Sequence, residues 1–222
     1  MTTTAATRKR RAERTRREIL GAARRLVRER GVQAFSLREV ARLVDFSPAG
    51  LYEYFEGKDA LIAALCGEVA ADLVQRLGQV PADLAPRERL IRTGLAYIEH
   101  ARANPDLGIL SLNDPRWPAS RAQATGTGLD IVVDIIGSGV KSGDFALRAG
   151  ETPLSLAYYC WAMVHGLATL GAALPRNALP GGRERADRAA LEALADGLAR
   201  RRANSSPSGP RERGSSGRRR NA

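Results

Sequence analysis

The chain has little of what most enzymes and metal proteins use. Its 222 residues include only two cysteines, Cys66 and Cys160, and two histidines, His100 and His165, and the members of each pair are far apart in the sequence. This pattern contains no metal-ligand cluster, so we expect neither a metal nor another cofactor. The sequence also lacks the Gly-rich phosphate loop and the Gly-x-Ser-x-Gly nucleophile motif. These absences argue against an enzyme.

Aromatic residues and long apolar runs are also scarce. Aromatics make up 5% of the chain, whereas Ala, Leu and Arg are abundant. That composition favours helices over sheets. No run of about 18 apolar residues occurs, and the chain does not open on an apolar signal segment. We therefore expect a cytoplasmic protein with no membrane contact.

Positive charge is concentrated at the two ends. Of the net charge of +11, residues 1–60 carry 14 Lys and Arg against 8 Asp and Glu, and residues 200–222 carry 8 against 1. The middle, residues 61–199, carries 13 against 15. Such asymmetry indicates a polyanionic partner for one part of the chain. The C-terminal charge lies in a segment with almost no apolar residues. Because such a segment cannot form a packed core, we expect it to be solvated and disordered.

Apolar residues recur at helical spacing and no strand-like alternation is found, so the sequence predicts an all-α fold. We expect a flexible arm over residues 1–8, an N-terminal helical domain over 9–58, a larger helical domain over 59–202, and a disordered basic tail over 203–222. About nine helices are predicted, with approximate bounds 9–30, 37–44, 48–54, 58–78, 86–103, 105–112, 121–142, 153–173 and 184–202.

Helix starts carry clear local signals. Three dipeptides place an N-cap side chain before a proline suited to the first helical position, namely Ser47-Pro48, Asn104-Pro105 and Thr152-Pro153. Ser36 and Glu39 have the spacing of a capping box, in which each side chain pairs with a backbone amide. Gly31 is expected to end the first helix.

Residues 36–58 predict two short helices that cross at a tight turn. Packed on a longer first helix, they form a helix-turn-helix unit. In that unit the N-terminal residues of the second helix meet base edges in the DNA major groove. Here those residues are Ser47, Pro48, Ala49 and Gly50. They are small enough for close approach, and Pro48 or Ala49 would suit contact with a thymine methyl group.

Phosphate contacts are expected around this helix. The candidates are side chains with hydroxyl groups or positive charge: Ser36, Arg38, Tyr52, Tyr54, Lys58 and, further upstream, Arg10, Arg11 and Arg14. The three upstream arginines could instead enter a minor groove. Several have an equally simple structural role. Ser36 is also placed to cap its helix. The two tyrosines could be core residues, which is the role expected for Phe55. The arginines could simply be solvated.

The N-terminal region resembles the tetracycline-repressor (TetR) family of transcriptional regulators. The resemblance is carried by Ile19, Ala22, Ala23, Leu26, Gly31, Ser36, Val40, Ala41, Phe46, Ser47, Leu51, Tyr52, Phe55, Lys58 and Leu61. Asp45 stands where the family often has a turn glycine, although Asp tolerates a left-handed conformation comparatively well. Ser36 replaces the frequent Thr and keeps its hydroxyl, and Phe46 is larger than the usual Val. These departures imply altered operator preference within the same fold.

The resemblance implies that the later helices form a ligand pocket and a dimer interface. Trp161, His165 and Gly166 fit a Trp-x-x-x-His-Gly-Leu pattern found in one branch of the family. One apolar stripe includes Ala157 and Cys160, another includes Leu191 and Ala195, and both are expected to pack against their symmetry mates. Candidate pocket residues are Tyr97, His100, Leu107, Leu110, Trp117, Tyr158, Trp161 and His165. Trp161 is equally suited to the core or the interface, and His165 to a hydrogen-bonded core position.

Together these features predict a regulator, most simply a repressor, that binds a near-palindromic operator in double-stranded DNA as a homodimer. A small, mostly apolar effector of unknown identity is expected to release it. The protein would then be associated with the nucleoid while DNA-bound. The alternative is a nonspecific or architectural DNA-binding protein without an effector, and salt dependence and sequence preference distinguish the two.

Overall fold

The computed structural model of the chain describes residues 2–107, 126–175 and 178–199. Within these ranges the backbone is helical without a strand, which confirms the predicted fold class, and one isolated β-bridge joins Phe145 to Ala199. Eight helices have both ends in the described residues. They are α1 (Thr2–Arg30), α2 (Leu37–Leu43), α3 (Pro48–Tyr52), α4 (Lys58–Gly78), α5 (Pro86–Ala103), α6 (Gly128–Ser142), α7 (Pro153–Ala173) and α8 (Gly182–Leu198).

Helix α1 is longer than its predicted 9–30. It begins at Thr2, so helical backbone replaces the flexible arm expected over residues 1–8. The reason is local, because this Ala- and Arg-rich stretch contains no Gly or Pro to stop a helix. The other end is as predicted. Gly31 has a φ of 78°, and its N–H donates to the Val27 carbonyl at 2.8 Å, which closes the last turn.

The first apolar core packs α1 against α2, α3 and α4. Its fully buried members include Ile19, Val40, Leu51 and Leu61, each with no exposed surface. Leu107 also belongs to this cluster, although it lies well beyond α4 in the sequence. Arg24 on α1 pairs with Glu68 on α4 at the edge of the same core. The three-helix unit is therefore fixed on the beginning of α4.

A second core lies among α5, α6, α7 and α8. Ile91, Ile135, Leu156 and Leu191 are buried there. Arg102 on α5 adds an ion pair, since its two terminal nitrogens lie 2.5 and 3.1 Å from the two carboxylate oxygens of Asp187 on α8. The second of these nitrogens also donates to the Leu167 carbonyl of α7 at 3.1 Å. One guanidinium thus joins three helices.

Helix α4 takes part in both regions. Its first half supplies Leu61, Leu65 and Val69 to the first core. Leu73 and Leu77, one and two turns further along, face the second group of helices. The predicted domain boundary after residue 58 falls at the first residue of this shared helix.

Helix α6 begins at Gly128, where a helix start near residue 121 was expected. Thr127 caps it, because its hydroxyl accepts the Asp130 N–H at 3.3 Å and the Asp130 carboxylate accepts the Thr127 N–H at 2.7 Å. Residues 108–125 and 203–222 lie outside the described residues. The predicted helix to residue 112, the loop after it and the basic tail therefore stay predictions.

Candidate nucleic-acid interface and effector cavity

The turn between α2 and α3 is set by local hydrogen bonds. Asp45 has a φ of 55°, the one positive value among the described non-glycine residues, and the Phe46 N–H donates to the Ala41 carbonyl at 2.9 Å. The left-handed conformation expected at Asp45 is confirmed. The Ser47 hydroxyl then accepts the Gly50 N–H at 3.0 Å and caps α3, with Pro48 in its first turn.

Replacing Asp45 with glycine is expected to raise the free energy of unfolding by about 1 kcal/mol, because glycine adopts this left-handed conformation without the steric cost. Asp45→Ala is expected to lower it, since Asp tolerates positive φ better than alanine does. Urea unfolding of the two variants would measure both changes. Equal stabilities for the glycine and alanine variants would contradict the assignment of strain to this residue.

Helix α3 presents one face to the core and the other to solvent. Leu51 is fully buried and Phe55 is 4% exposed, which agrees with the core position expected for Phe55. Ser47, Pro48 and Ala49 are exposed and Gly50 is half-buried. The four residues predicted to meet base edges therefore lie together at the N-terminal end of α3, with no bulky side chain among them.

The residues predicted to contact phosphates differ in how exposed they are. Tyr52 is 56% exposed and Arg38 is exposed, so both are available to a partner. Tyr54 is half-buried and stacks edge-on against Phe46, with ring centroids 6.0 Å apart. Three further candidates, Arg10, Arg11 and Arg14, are exposed on α1, within the helix predicted over residues 9–30.

Two candidates have an observed structural role. The Ser36 hydroxyl accepts the Glu39 N–H at 3.3 Å, and the Glu39 carboxylate accepts the Ser36 N–H at 2.9 Å, which is the predicted capping box. The Ser36 hydroxyl also donates to the Glu39 carboxylate at 2.9 Å, and this bond, together with the one from the Ser36 N–H, lowers the pKa of Glu39. Lys58 donates to the Gln33 carbonyl at 3.1 Å and lies 4.7 Å from the Phe35 ring centroid. Both side chains thus stabilise the helix-turn-helix unit itself.

A second candidate site is an apolar cavity of about 50 Å³ among α4, α5, α6, α7 and α8. Its lining residues are Leu73, Leu77, Leu90, Thr93, Gly94, Tyr97, Gly128, Leu129, Val132, Cys160, Trp161, Val164, Leu191 and Leu194. The lining residues other than Cys160 are of types that are neutral at pH 7. Cys160 is also uncharged there, because burial raises the pKa of its thiol to about 12. The cavity suits an apolar compound.

Only part of the predicted pocket lies at this cavity. Tyr97 and Trp161 line it, whereas His165 is not among the lining residues and its Nδ1 pairs with the Tyr97 hydroxyl. Burial lowers the pKa of His165. This position agrees with the hydrogen-bonded core alternative for His165.

Three pocket predictions require correction. Leu107 is buried in the first core, and Tyr158 is 64% exposed on the outer face of α7. His100 is buried between helices, with its Nδ1 3.1 Å from an Asp72 carboxylate oxygen on α4. Helical spacing alone did not fix which way these side chains point. Leu110 and Trp117 lie outside the described residues.

Sequence reasoning missed most of the cavity wall. Leu73 and Leu77 come from α4, Leu129 from α6 and Leu194 from α8. In the sequence these leucines have the spacing of ordinary core residues, and no local signal separates a cavity wall from a packed core. Thr93 was also missed, although a threonine within an otherwise apolar helical face was a visible signal.

The described residues contain no group of three or more His, Cys, Asp or Glu side chains that could hold a metal ion. Within the same ranges, none of the helices combines the length and the apolar character needed to span a membrane.

Comparison with known proteins connects this geometry to a family. The profile described as "Bacterial regulatory proteins, tetR family" matches residues 19–65. An HTH-type transcriptional regulator of Mycobacterium tuberculosis is 32% identical over 153 residues, which are 65% of this chain and 70% of that protein.

Solved structures share the fold over most of the chain. A protein of unknown function from Rhodococcus sp. RHA1 has a TM-score of 0.73 and 26% identity, over 84% of this chain and 96% of its own. A TetR/AcrR-family regulator from Thermobifida fusca has a TM-score of 0.64 and 20% identity, over 83% and 98% of the two chains. At that lower identity the likeness concerns the fold alone.

Proposed function

Because this chain belongs to the TetR family of helix-turn-helix transcriptional regulators, we propose that it represses genes by binding a near-palindromic operator as a homodimer, and that a small apolar effector releases it. The observation that carries the operator proposal is the exposed N-terminal end of α3. Ser47, Pro48 and Ala49 are exposed there on a helix anchored by the buried Leu51. A small-residue surface on a fixed helix can enter the major groove.

Exposed arginines on the first two helices support contact with the DNA backbone. Arg10, Arg11 and Arg14 are exposed along α1, Arg38 is exposed on α2, and Tyr52 is exposed on α3. Arg14 forms an exposed pair with Glu18 at 2.9 Å, which competes only weakly with a phosphate. We propose that these side chains position the protein on the duplex while α3 reads its sequence.

The proposed dimer uses a different face of α7 from the one predicted. Ala157, Cys160, Leu191 and Ala195 are buried in the chain's own core, so the two stripes expected to meet their symmetry mates are already covered. The outer face of α7 is a ridge of residues four apart, the exposed Leu154, Tyr158, Ala162 and Leu170 and the half-buried Gly166. Bulky side chains stand at its ends and small ones at its centre. Two such ridges can interdigitate around a two-fold axis.

Leu170 is 65% exposed, so Leu170→Glu is expected to leave the fold intact and shift the dimer towards monomer. Sedimentation over a range of protein concentrations would measure the shift. Leu147→Glu provides the matched control, because Leu147 is also exposed, at 37%, but lies outside α7. A wild-type protein that is monomeric at every concentration would contradict the dimer proposal.

We propose that α4 transmits effector binding. The helix is anchored in the first core by Leu61 and Leu65, and it lines the cavity with Leu73 and Leu77. A compound that moves those two leucines would tilt α4 and change the spacing of the recognition helices in the dimer. The effector then shifts the population towards a form that does not fit the operator.

Selection of bound sequences from random DNA, followed by footprinting, tests the regulatory proposal. The expected result is a short, near-palindromic site whose half-sites are related by a fixed interval. The alternative, an architectural binder, predicts similar affinity for all sequences and a steep loss of affinity with salt. Such a result would contradict the operator proposal.

A further inference from the structure

Among the described residues, the wall of the effector cavity is uncharged and contains one hydroxyl without a hydrogen-bond partner, that of Thr93. We propose that it takes a small neutral compound, a single ring or short apolar chain, which carries one hydrogen-bonding oxygen that pairs with Thr93. This inference rests on the effector response proposed above and specifies the chemical class of the effector. It depends on Thr93, on the charge of the wall and on the size of the cavity.

Thr93 lies on α5 in the wall of the cavity and is 2% exposed. Its hydroxyl oxygen is closed to solvent and has no hydrogen-bond partner among the described residues. A buried hydroxyl without a partner is unfavourable, and a ligand oxygen that reaches it relieves that cost. The remaining wall is mainly leucine and valine, so one polar contact is available within an apolar enclosure.

An ionised ligand has no counterion in this wall. Cys160 stays a neutral thiol because burial raises its pKa to about 12, and burial lowers the pKa of the nearby His165. A carboxylate placed here would lose its hydration without gaining an ion pair. The site is therefore expected to discriminate between an alcohol and the acid of the same carbon skeleton.

The size of the cavity limits the ligand and connects binding to α4. Its volume is about 50 Å³, whereas an apolar cavity of roughly 150 Å³ is known to accept benzene. The wall is also tight at Gly94, where an added Cβ would lie 2.8 Å from a Leu191 methyl carbon. A ring-sized ligand must therefore displace some of the wall residues. Leu73 and Leu77 of α4 belong to this wall.

Three ring-matched compounds test this class: benzyl alcohol, toluene and benzoate at pH 7. Isothermal titration calorimetry of the full chain is expected to show benzyl alcohol binding about 5-fold more tightly than toluene, as one net hydrogen bond implies, with no binding of benzoate. Thr93→Val keeps the shape of the side chain, and this variant is expected to bind benzyl alcohol and toluene with equal affinity. Thr93→Ser keeps the hydroxyl and is expected to restore the preference.

Thr169→Val is the matched control, because the Thr169 hydroxyl already donates to the His165 carbonyl at 2.8 Å on the outer side of α7. It is expected to keep the wild-type preference. Benzoate binding as tightly as benzyl alcohol would overturn the neutral class, as would a wild-type protein that binds none of the three. A preference that survives Thr93→Val would overturn the role of Thr93.

A different result would contradict the proposed effector response. If benzyl alcohol binds with the expected selectivity but leaves operator affinity unchanged at saturation, the class of ligand stands and the coupling through α4 is contradicted. Operator affinity measured with and without the alcohol separates the two outcomes.

Discussion

Replacing Asp187 with alanine is expected to lower the free energy of unfolding by about 3–5 kcal/mol, the usual cost of removing one partner from a buried ion pair. Asp187 is 4% exposed, and both of its carboxylate oxygens accept from Arg102. The variant leaves the guanidinium, whose side chain is 22% exposed, with the Leu167 carbonyl as its acceptor. Urea unfolding followed by circular dichroism would measure the loss.

An exposed pair provides the control. Glu88 accepts from Arg92 at 2.6 Å one turn away on α5, but their side chains are 34% and 50% exposed. Glu88→Ala is therefore expected to change stability by at most about 0.5 kcal/mol. The double variant Arg102→Met with Asp187→Leu is expected to recover much of the loss, because no charge stays buried. A loss below about 1 kcal/mol for Asp187→Ala would contradict a structural role for the pair.

Ala49→Glu is expected to weaken operator binding at least 100-fold while leaving the fold unchanged. Ala49 is exposed at the start of α3, so the new carboxylate replaces no packed contact. In the proposed complex it faces the DNA, where like charges brought together cost several kcal/mol, a factor of roughly 100 or more. Fluorescence anisotropy with a selected operator at fixed salt measures the change.

Ala71→Glu makes the same change of side chain and charge on the exposed surface of α4, away from α3. It is expected to bind the operator with nearly wild-type affinity. Thermal unfolding of both variants shows whether either has lost stability. An Ala49→Glu protein that binds as well as wild type would contradict the placement of α3 in the groove.

Local chemistry made the DNA-binding region predictable. The N-cap at Ser47, the capping box at Ser36 and the helix stop at Gly31 each depend on neighbouring residues, and all three are observed. The left-handed conformation at Asp45 also follows from its position in a tight turn. Such signals are short in range and therefore readable from sequence.

Side-chain direction in the later helices was not predictable in the same way. Helix α7 is apolar around its circumference, so Cys160 faces inward and Tyr158 outward without any difference in polarity pattern. The roles of Leu107 in the first core and of Lys58 beneath Phe35 depend on contacts between distant segments. Neither spacing nor composition encodes those contacts in a visible form.

The shared helix α4 determines where this protein can be divided. A fragment that ends at residue 58 discards Leu61, Leu65 and Val69 and leaves the remaining apolar side chains of the first core open to water. One that continues to Gly78 keeps those three residues, but it loses Leu107 from the first core and exposes Leu73 and Leu77. A chimera that joins this helix-turn-helix unit to the later helices of a relative must therefore be spliced within α4, after Val69. Leu73 and Leu77 must then be replaced by residues that fit the relative's helices.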